Sequence, residues 1–282
     1  MAKPVVITAD STVDLSPELI ERYDIRIIPL TITLGEDTFL DGQGFTPLDM
    51  YKRYREDGTL PMTSAPGVQE LLDFFTPLVE AGYEVVHLDI SAELSNTFNA
   101  ARLAAEDLKG VYPVDSRMLS TGVGLLAIEG AECRDKGMDA WSIARHLESL
   151  TGKVSTSFVL DTLEFMRKGG RCSGVAAMAA NLLQLKPGLE MKDGKLGVYK
   201  KYRGNINHVY KQYITERLKG KKVRPGHVFL TESGEIEPEV VEELIKLVYE
   251  LSGCSAVHHT MAGCTVSTHC GPKTLGVLFI EE

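Results

Sequence analysis

Apolar and β-branched residues run from Val5 to Thr8 and stop at the polar Asp10-Ser11-Thr12. Ser16-Pro17-Glu18 then opens a helix, with a hydroxyl cap and proline at the first helical position. The same texture returns twice. Val85 to Ile90 reads as a strand, Ser91 to Thr97 as a hydroxyl-rich loop and Phe98 to Leu108 as an alanine-rich helix. Val111 to Val114 is another strand, Asp115-Ser116 its polar end, and a helix starts near Thr121. Strands alternating with helices predict a parallel sheet.

Between the first two units, Ile25 to Leu34 reads as one apolar strand, and Thr46-Pro47 caps a helix carrying Met50, Tyr51 and Tyr54. The spacing Val68, Leu71, Leu72, Phe75, Leu78, Val79 is helical, which places Thr63 and Ser64 just before a helix N-terminus. After a helix from Trp141 to Leu150, the texture changes at Thr151-Gly152. Strand Val154 to Leu160, helix Thr162 to Lys168 closed by Gly169-Gly170, and helix Val175 to Leu183 follow. Asp193-Gly194 then separates two runs as a hairpin turn. Helix Ile206 to Leu218, strand His227 to Thr231, helix Pro238 to Leu251 and strands Ala256 to His259 and Leu275 to Ile280 complete the chain. The expectation is an α/β protein of two domains, residues 1–152 with a parallel Rossmann-like sheet and residues 153–282 with a mixed α/β fold.

Composition narrows the function. With 282 residues and 44% hydrophobic content the chain can bury a real core, and its net charge of −9 would repel nucleic acid and offers no bulk attraction to anionic lipid. No apolar run approaches the roughly 18 residues of a membrane span. Met1-Ala2-Lys3-Pro4 followed at once by Val5-Val6-Ile7 has no signal-peptide pattern. Five cysteines, odd in number and without a C-x-x-C pair, fit reduced thiols in the cytoplasm.

Ligands of open α/β sheets bind beyond the carboxyl ends of strands, and three such ends here carry Asp10-Ser11-Thr12, Ser91 through Thr97 and Asp115-Ser116. Hydroxyls beside helix N-termini either cap those helices or hold a carboxylate or phosphate. Gly169-Gly170-Arg171 reads as a C-cap with a solvated arginine or as a ligand group, and Arg203 as a basic end of an edge strand. His258, His259, Cys264, His269 and Cys270 invite zinc, but no metal spacing exists and adjacent histidines on a strand point apart. Gly122-x-Gly124-x-x-Ala127 matches a dinucleotide fingerprint but begins several residues after its strand. Neither a metal nor a cofactor is expected. There is no G-x-x-x-x-G-K-[ST] and no G-x-S-x-G.

The succession Asp10-Ser11-Thr12-Val13-Asp14-Leu15, Thr63-Ser64-Ala65-Pro66, Ser91-Ala92-Glu93-Leu94-Ser95-Asn96-Thr97, Val114-Asp115-Ser116, Leu163 to Arg171, Arg203 and His269-Cys270-Gly271-Pro272 resembles the DegV family of bacterial fatty-acid-binding proteins. The resemblance covers nearly the whole chain. It implies two α/β domains with a long-chain fatty acid between them, the tail held in the second. It further implies a non-catalytic, monomeric subunit that presents the acyl carboxylate to a fatty acid kinase for acyl-phosphate formation in phospholipid synthesis. By motif, Thr63 and Ser95 would bind the carboxylate with Ser64 alongside, and Arg171, Arg203 and His269 would form the surrounding polar network and the face shown to the kinase.

Two positions depart from the family pattern, which usually has glycine in place of Asn96 and Lys273. Asparagine tolerates left-handed backbone, so Asn96 is expected to preserve a turn. Lys273 would either pair with the head group or mark a changed ligand or partner surface. The alternative function is an enzyme, such as an acyl hydrolase using Ser95 with His269, or another enzyme binding a small carboxylate.

Overall fold

The computed structural model describes residues 3–172 and 185–282, so the helix expected over 175–183 lies outside the described residues. The chain opens as the pattern predicts, with β1 (Val5–Asp10), α1 (Pro17–Arg22, capped by Ser16) and β2 (Ile25–Ile28). The single strand expected from Ile25 to Leu34 breaks at Pro29. Proline cannot donate to a sheet ladder, and the chain beyond it leaves the parallel sheet. It forms β3 (Thr31–Leu34), the centre of a three-stranded antiparallel sheet with β4 (Asp37–Leu40) and β5 (Met62–Ser64).

Between β4 and β5 lies α2 (Pro47–Asp57), closed at its start by a capping box in which Thr46 and Asp49 satisfy each other's backbone. Thr63 and Ser64 sit on β5 and cap nothing. Gly67 caps α3 (Val68–Glu80), and its N–H donates to Glu70 at 2.6 Å.

β6 (Glu84–Asp89), α4 (Thr97–Asp107), β7 (Val111–Asp115), α5 (Thr121–Asp135) and α6 (Ala140–Leu150) finish the first half. Its sheet is parallel, in the order β2-β1-β6-β7. The chain passes from β1 to one neighbour and later to the other, so the order reverses between β1 and β6.

The second half contains β8 (Val154–Val159), α7 (Glu164–Gly169), β9 (Leu185–Lys192), β10 (Lys195–Arg203), α8 (Ile206–Leu218), β11 (Val223–Glu232), α9 (Pro238–Ser252), β12 (Ala256–Met261), α10 (Cys264–Cys270) and β13 (Leu275–Glu281). These six strands form a mixed sheet in the order β10-β9-β8-β13-β11-β12. Asp193 and Gly194 both have positive φ, 52° and 79°, as the two-residue hairpin requires.

Alternation splits the mixed sheet between two cores. Phe158, Leu278, Ile280 and Phe229 face α5 and the parallel sheet. Val159, Val277, Phe279 and Leu230 face Tyr210, Tyr213 and Val248 on α8 and α9. α5 itself is buried on nearly all sides and packs against β1 and β6 on one flank and β8, β11 and β13 on the other. A helix so enclosed has no single apolar stripe: Thr121 to Ile128 carries no charge, and the charged residues are confined to its second half, where buried Glu129 pairs with His146 and Arg224.

Candidate functional site

A cavity of about 500 Å³ opens where the two halves meet. Thr63, Ser95, Asn96, Arg171 and His269 line its polar part, and Leu30, Ile90, Leu119, Phe158, Met166 and Leu278 its apolar walls. This combination of apolar walls with a few convergent polar groups is typical of small-molecule sites.

Each polar group is placed by a local device. Thr63 faces the cavity from β5, while the exposed Ser64, next along the strand, is not among the lining residues. Ser95 ends a turn in which Ser91 O accepts from the N–H groups of Leu94 (2.9 Å) and Ser95 (3.2 Å). Its Oγ shares a hydrogen bond with Thr97 Oγ1 (2.7 Å) and accepts from Thr97 N–H (3.3 Å), so it serves the first turn of α4 as well as the cavity. Asn96 has φ −84°, which is ordinary right-handed backbone, so neither glycine nor asparagine is needed there for conformational reasons.

His269 comes from α10, a two-turn helix without apolar periodicity that the sequence pattern did not reveal. Its Nε2 lies 3.0 Å from Thr63 Oγ1. Gly169 passes so close that a Cβ there would stand 2.4 Å from His269 Nδ1. Burial, helped by the Arg171 guanidinium, pushes the imidazole down to about 4, so it is neutral at pH 7. Nδ1 is buried and has no hydrogen-bond partner among the described residues. An orphaned N–H costs more than an orphaned lone pair, so we assign the proton to Nε2. Nε2–H then donates to Thr63 Oγ1 and leaves the Thr63 hydroxyl proton free for the cavity.

Arg171 is exposed and donates to Gly169 O at 2.7 Å. Arg203, exposed at the end of β10, does not line the cavity, and neither does Lys273. Lys273 instead holds a left-handed φ of 56°, while its N–H donates to Gly234 O (2.9 Å) and its carbonyl accepts from Tyr210 Oη (2.7 Å). That geometry suits the glycine usual in the family. Lys273→Gly is therefore expected to raise stability by about 0.5–1 kcal/mol, the left-handed penalty less glycine's entropic cost. Urea unfolding midpoints check it, and a loss of stability would contradict it.

Of the three polar strand ends, the one after β6 brings Ser95 to the cavity. After β1, Asp10 is fully buried and accepts from the N–H groups of Thr12 and Ile90, both at 2.9 Å. Burial, with Asp89 nearby, pushes its carboxyl up to about 6. Asp14 accepts from Gly263 N–H (2.8 Å) and Ser120 Oγ (2.5 Å). The crevice where the sheet order reverses is therefore met by the start of α10. After β7, Asp115 Oδ1 accepts from the N–H groups of Ala92 (3.2 Å) and Arg117 (2.9 Å).

The other candidate groupings disperse. His258 Nε2 lies 2.8 Å from His227 Nδ1, whereas His259 Nε2 lies 2.9 Å from Glu232 Oε1, so the five residues that suggest zinc do not converge. Gly122 and Gly124 serve packing: an added Cβ would meet Thr156 Oγ1 at 2.2 Å in the first case and Leu15 Cδ2 at 2.7 Å in the second. Ser95 and His269 share no hydrogen bond, and nothing among the described residues orients His269 through Nδ1. Among the described residues Ser95 and His269 thus do not form a hydrogen-bonded nucleophile–base pair.

Sequence reasoning missed the apolar walls and Thr265, which also lines the cavity. Thr265 precedes His269 by four residues, a shared helix face that is legible only once α10 is recognised.

A two-half α/β fold enclosing a cavity of this kind defines a class of small-molecule binder, and the comparisons narrow it. The DegV family model matches residues 4–282, and the chain belongs to that family. A DegV domain-containing protein of Deinococcus radiodurans is 30% identical, over 97% of each chain. Among solved structures, a DegV family protein from Thermus thermophilus, described for its fatty acid binding, has a TM-score of 0.88 at 28% identity and covers 99% of this chain and 100% of that one. A stearic acid-binding protein from Eubacterium ventriosum has a TM-score of 0.82 at 27% identity, over 100% of this chain and 98% of its own. Among the described residues, no helix is long and apolar enough to cross a membrane.

Proposed function

We propose that this chain binds one long-chain fatty acid in the cavity between its halves and, as a cytoplasmic monomer, presents the carboxylate to a fatty acid kinase subunit for acyl-phosphate formation. The observation that carries the reading is the cavity itself, with Thr63, Ser95, His269 and Arg171 on its polar part and apolar walls behind them. Its relatives from Thermus thermophilus and Eubacterium ventriosum bind fatty acids in the same fold. The Thr63 hydroxyl, its oxygen occupied by His269 Nε2–H, donates to the carboxylate; Ser95 Oγ donates beside it. Arg171 supplies the positive charge. The sequence lacks the G-x-x-x-x-G-K-[ST] loop, which is consistent with a phosphoryl donor held by a second protein.

Each tail methylene taken out of water stabilises the complex by about 0.8 kcal/mol, so the ligand should survive purification. Native mass spectrometry is expected to show one long-chain fatty acid per chain. A protein that carries none and takes up none when supplied would sink the reading. Arg203, away from the cavity, is assigned to phosphoryl transfer. Arg203→Ala should keep its fatty acid yet support acyl-phosphate formation slower by about tenfold or more, as removal of a positioned charge does. Loss of the fatty acid would make Arg203 a head-group ligand instead, and unchanged turnover would leave it a solvated edge residue.

A further inference from the structure

The small sheet β4-β3-β5 grips α10 at both ends. At the first turn Asp41, the residue after β4, accepts through Oδ1 from the N–H groups of Cys264 (2.8 Å) and Thr265 (3.4 Å). Its Oδ2 accepts from Ser11 Oγ (2.9 Å), which in turn accepts from Leu30 N–H (3.0 Å), and Asp41 N–H donates to Leu30 O (2.9 Å). At the last turn Thr63 on β5 meets His269. β4 and β5 flank the same residue of β3, since Ile32 pairs with both Phe39 and Thr63. The span between the two grips is therefore set by the width of one sheet. Asp41 is 4% exposed and does not line the cavity.

A helix of seven residues has little internal cohesion, so its seat is decided by what holds its ends. A slip of one residue would carry it about 1.5 Å along its axis and turn it by about 100°. Either motion breaks a 3.0 Å hydrogen bond at the far end. We propose that Asp41 is a positioning residue: by anchoring the N-terminus of α10 it sets His269 against Thr63, and through them the preference of the cavity for a carboxylate over an uncharged head group. This rests on the fatty acid reading above.

The test compares palmitic acid with hexadecanol as displacers of a fluorescent fatty acid. The tail is common to both, so the acid-to-alcohol affinity ratio reports the head-group geometry alone. Asp41→Ala should lower acid affinity by about tenfold, the worth of one charged hydrogen bond, with the alcohol nearly unchanged. Asp41→Asn keeps an oxygen for both N–H groups and should retain most of the ratio. The His269 imidazole nitrogen resonances should move in the Ala variant and stay in the Asn variant. An Ala variant that keeps the ratio, or loses both ligands equally, overturns the positioning role while leaving fatty acid binding intact. Wild-type protein that binds neither ligand takes down the fatty acid reading, and this role with it. If Asp41→Ala does not fold, Ser11→Ala removes the donor that aligns Asp41 and should lower the same ratio; no change there overturns the proposal.

Discussion

Substituting Gly124 by alanine is expected to destabilise the chain by about 3 kcal/mol, and substituting it by valine to prevent folding. A Cβ at this position would stand 2.7 Å from Leu15 Cδ2 and 2.8 Å from the carbonyl oxygen of Val13. The second contact decides the outcome, because that backbone cannot retreat. Asp14, which follows Val13, is held at a left-handed φ of 48° with its carboxylate pinned by Ser120 and by the backbone of Gly263. Alanine would otherwise help a helix by about 1 kcal/mol relative to glycine, so the clash acts against a favourable background. Gly122 is the control. Its added Cβ would come nearer still, 2.2 Å from Thr156 Oγ1 with Met118 Cβ at 3.2 Å, but these obstacles are side-chain atoms and the Thr156 hydroxyl has no hydrogen bond to lose on shifting. Gly122→Ala should therefore cost only about 1 kcal/mol. Urea unfolding of the two variants checks the order, and equal losses, or a greater loss at Gly122, would contradict the account.

The same pair of glycines shows where sequence reading works and where it stops. Their spacing suits a dinucleotide loop, but the helix they open is wedged between two sheets, and close packing needs small residues just as a pyrophosphate does. A motif reports that backbone must approach something, without saying what. The alternation of strands and helices, the capped starts at Ser16 and Thr46 and the Asp193-Gly194 turn are local signals, and those elements form where the pattern places them. The place of β5 in the small sheet and α10 are not local. β3 and β4 close on each other as a tight hairpin, Leu34 pairing with Asp37, but β5 has three residues and reaches β3 only across about thirty positions of chain, as between Ile32 and Thr63. In α10, Cys264-Thr265-Val266-Ser267-Thr268-His269-Cys270 has no periodic apolar face to betray a helix.

The site follows the same division. Thr63, Ser95, Arg171 and His269 line one cavity, whereas Ser64 falls on the opposite face of β5 and Arg203 beyond the cavity. A strand residue's side depends on register, and register is set by the partner strand. The Asp10-Ser11-Thr12-Val13-Asp14 stretch, chemically fit to meet a ligand, is used up inside the protein on Ile90, Asp41 and Gly263.

Thr63→Val is expected to weaken fatty acid binding by about ten- to hundredfold, the worth of a charged hydrogen bond of roughly 1.5–3 kcal/mol, with little change in fold. Valine keeps the shape and the β preference of β5 but removes the acceptor of His269 and, with it, the donor proposed for the carboxylate. Ser95→Ala should behave differently. It also loses a proposed carboxylate donor, but in addition it strips Thr97 N–H and Thr97 Oγ1 of their partner at the start of α4, so thermal stability should fall together with affinity. Measuring affinity and unfolding midpoint on the same samples separates the two roles. If Thr63→Val binds as tightly as the natural chain, the carboxylate does not lie at this hydroxyl. If Ser95→Ala loses stability alone, its turn-closing bonds to Thr97 are its whole contribution, and Thr63 with Arg171 holds the head group.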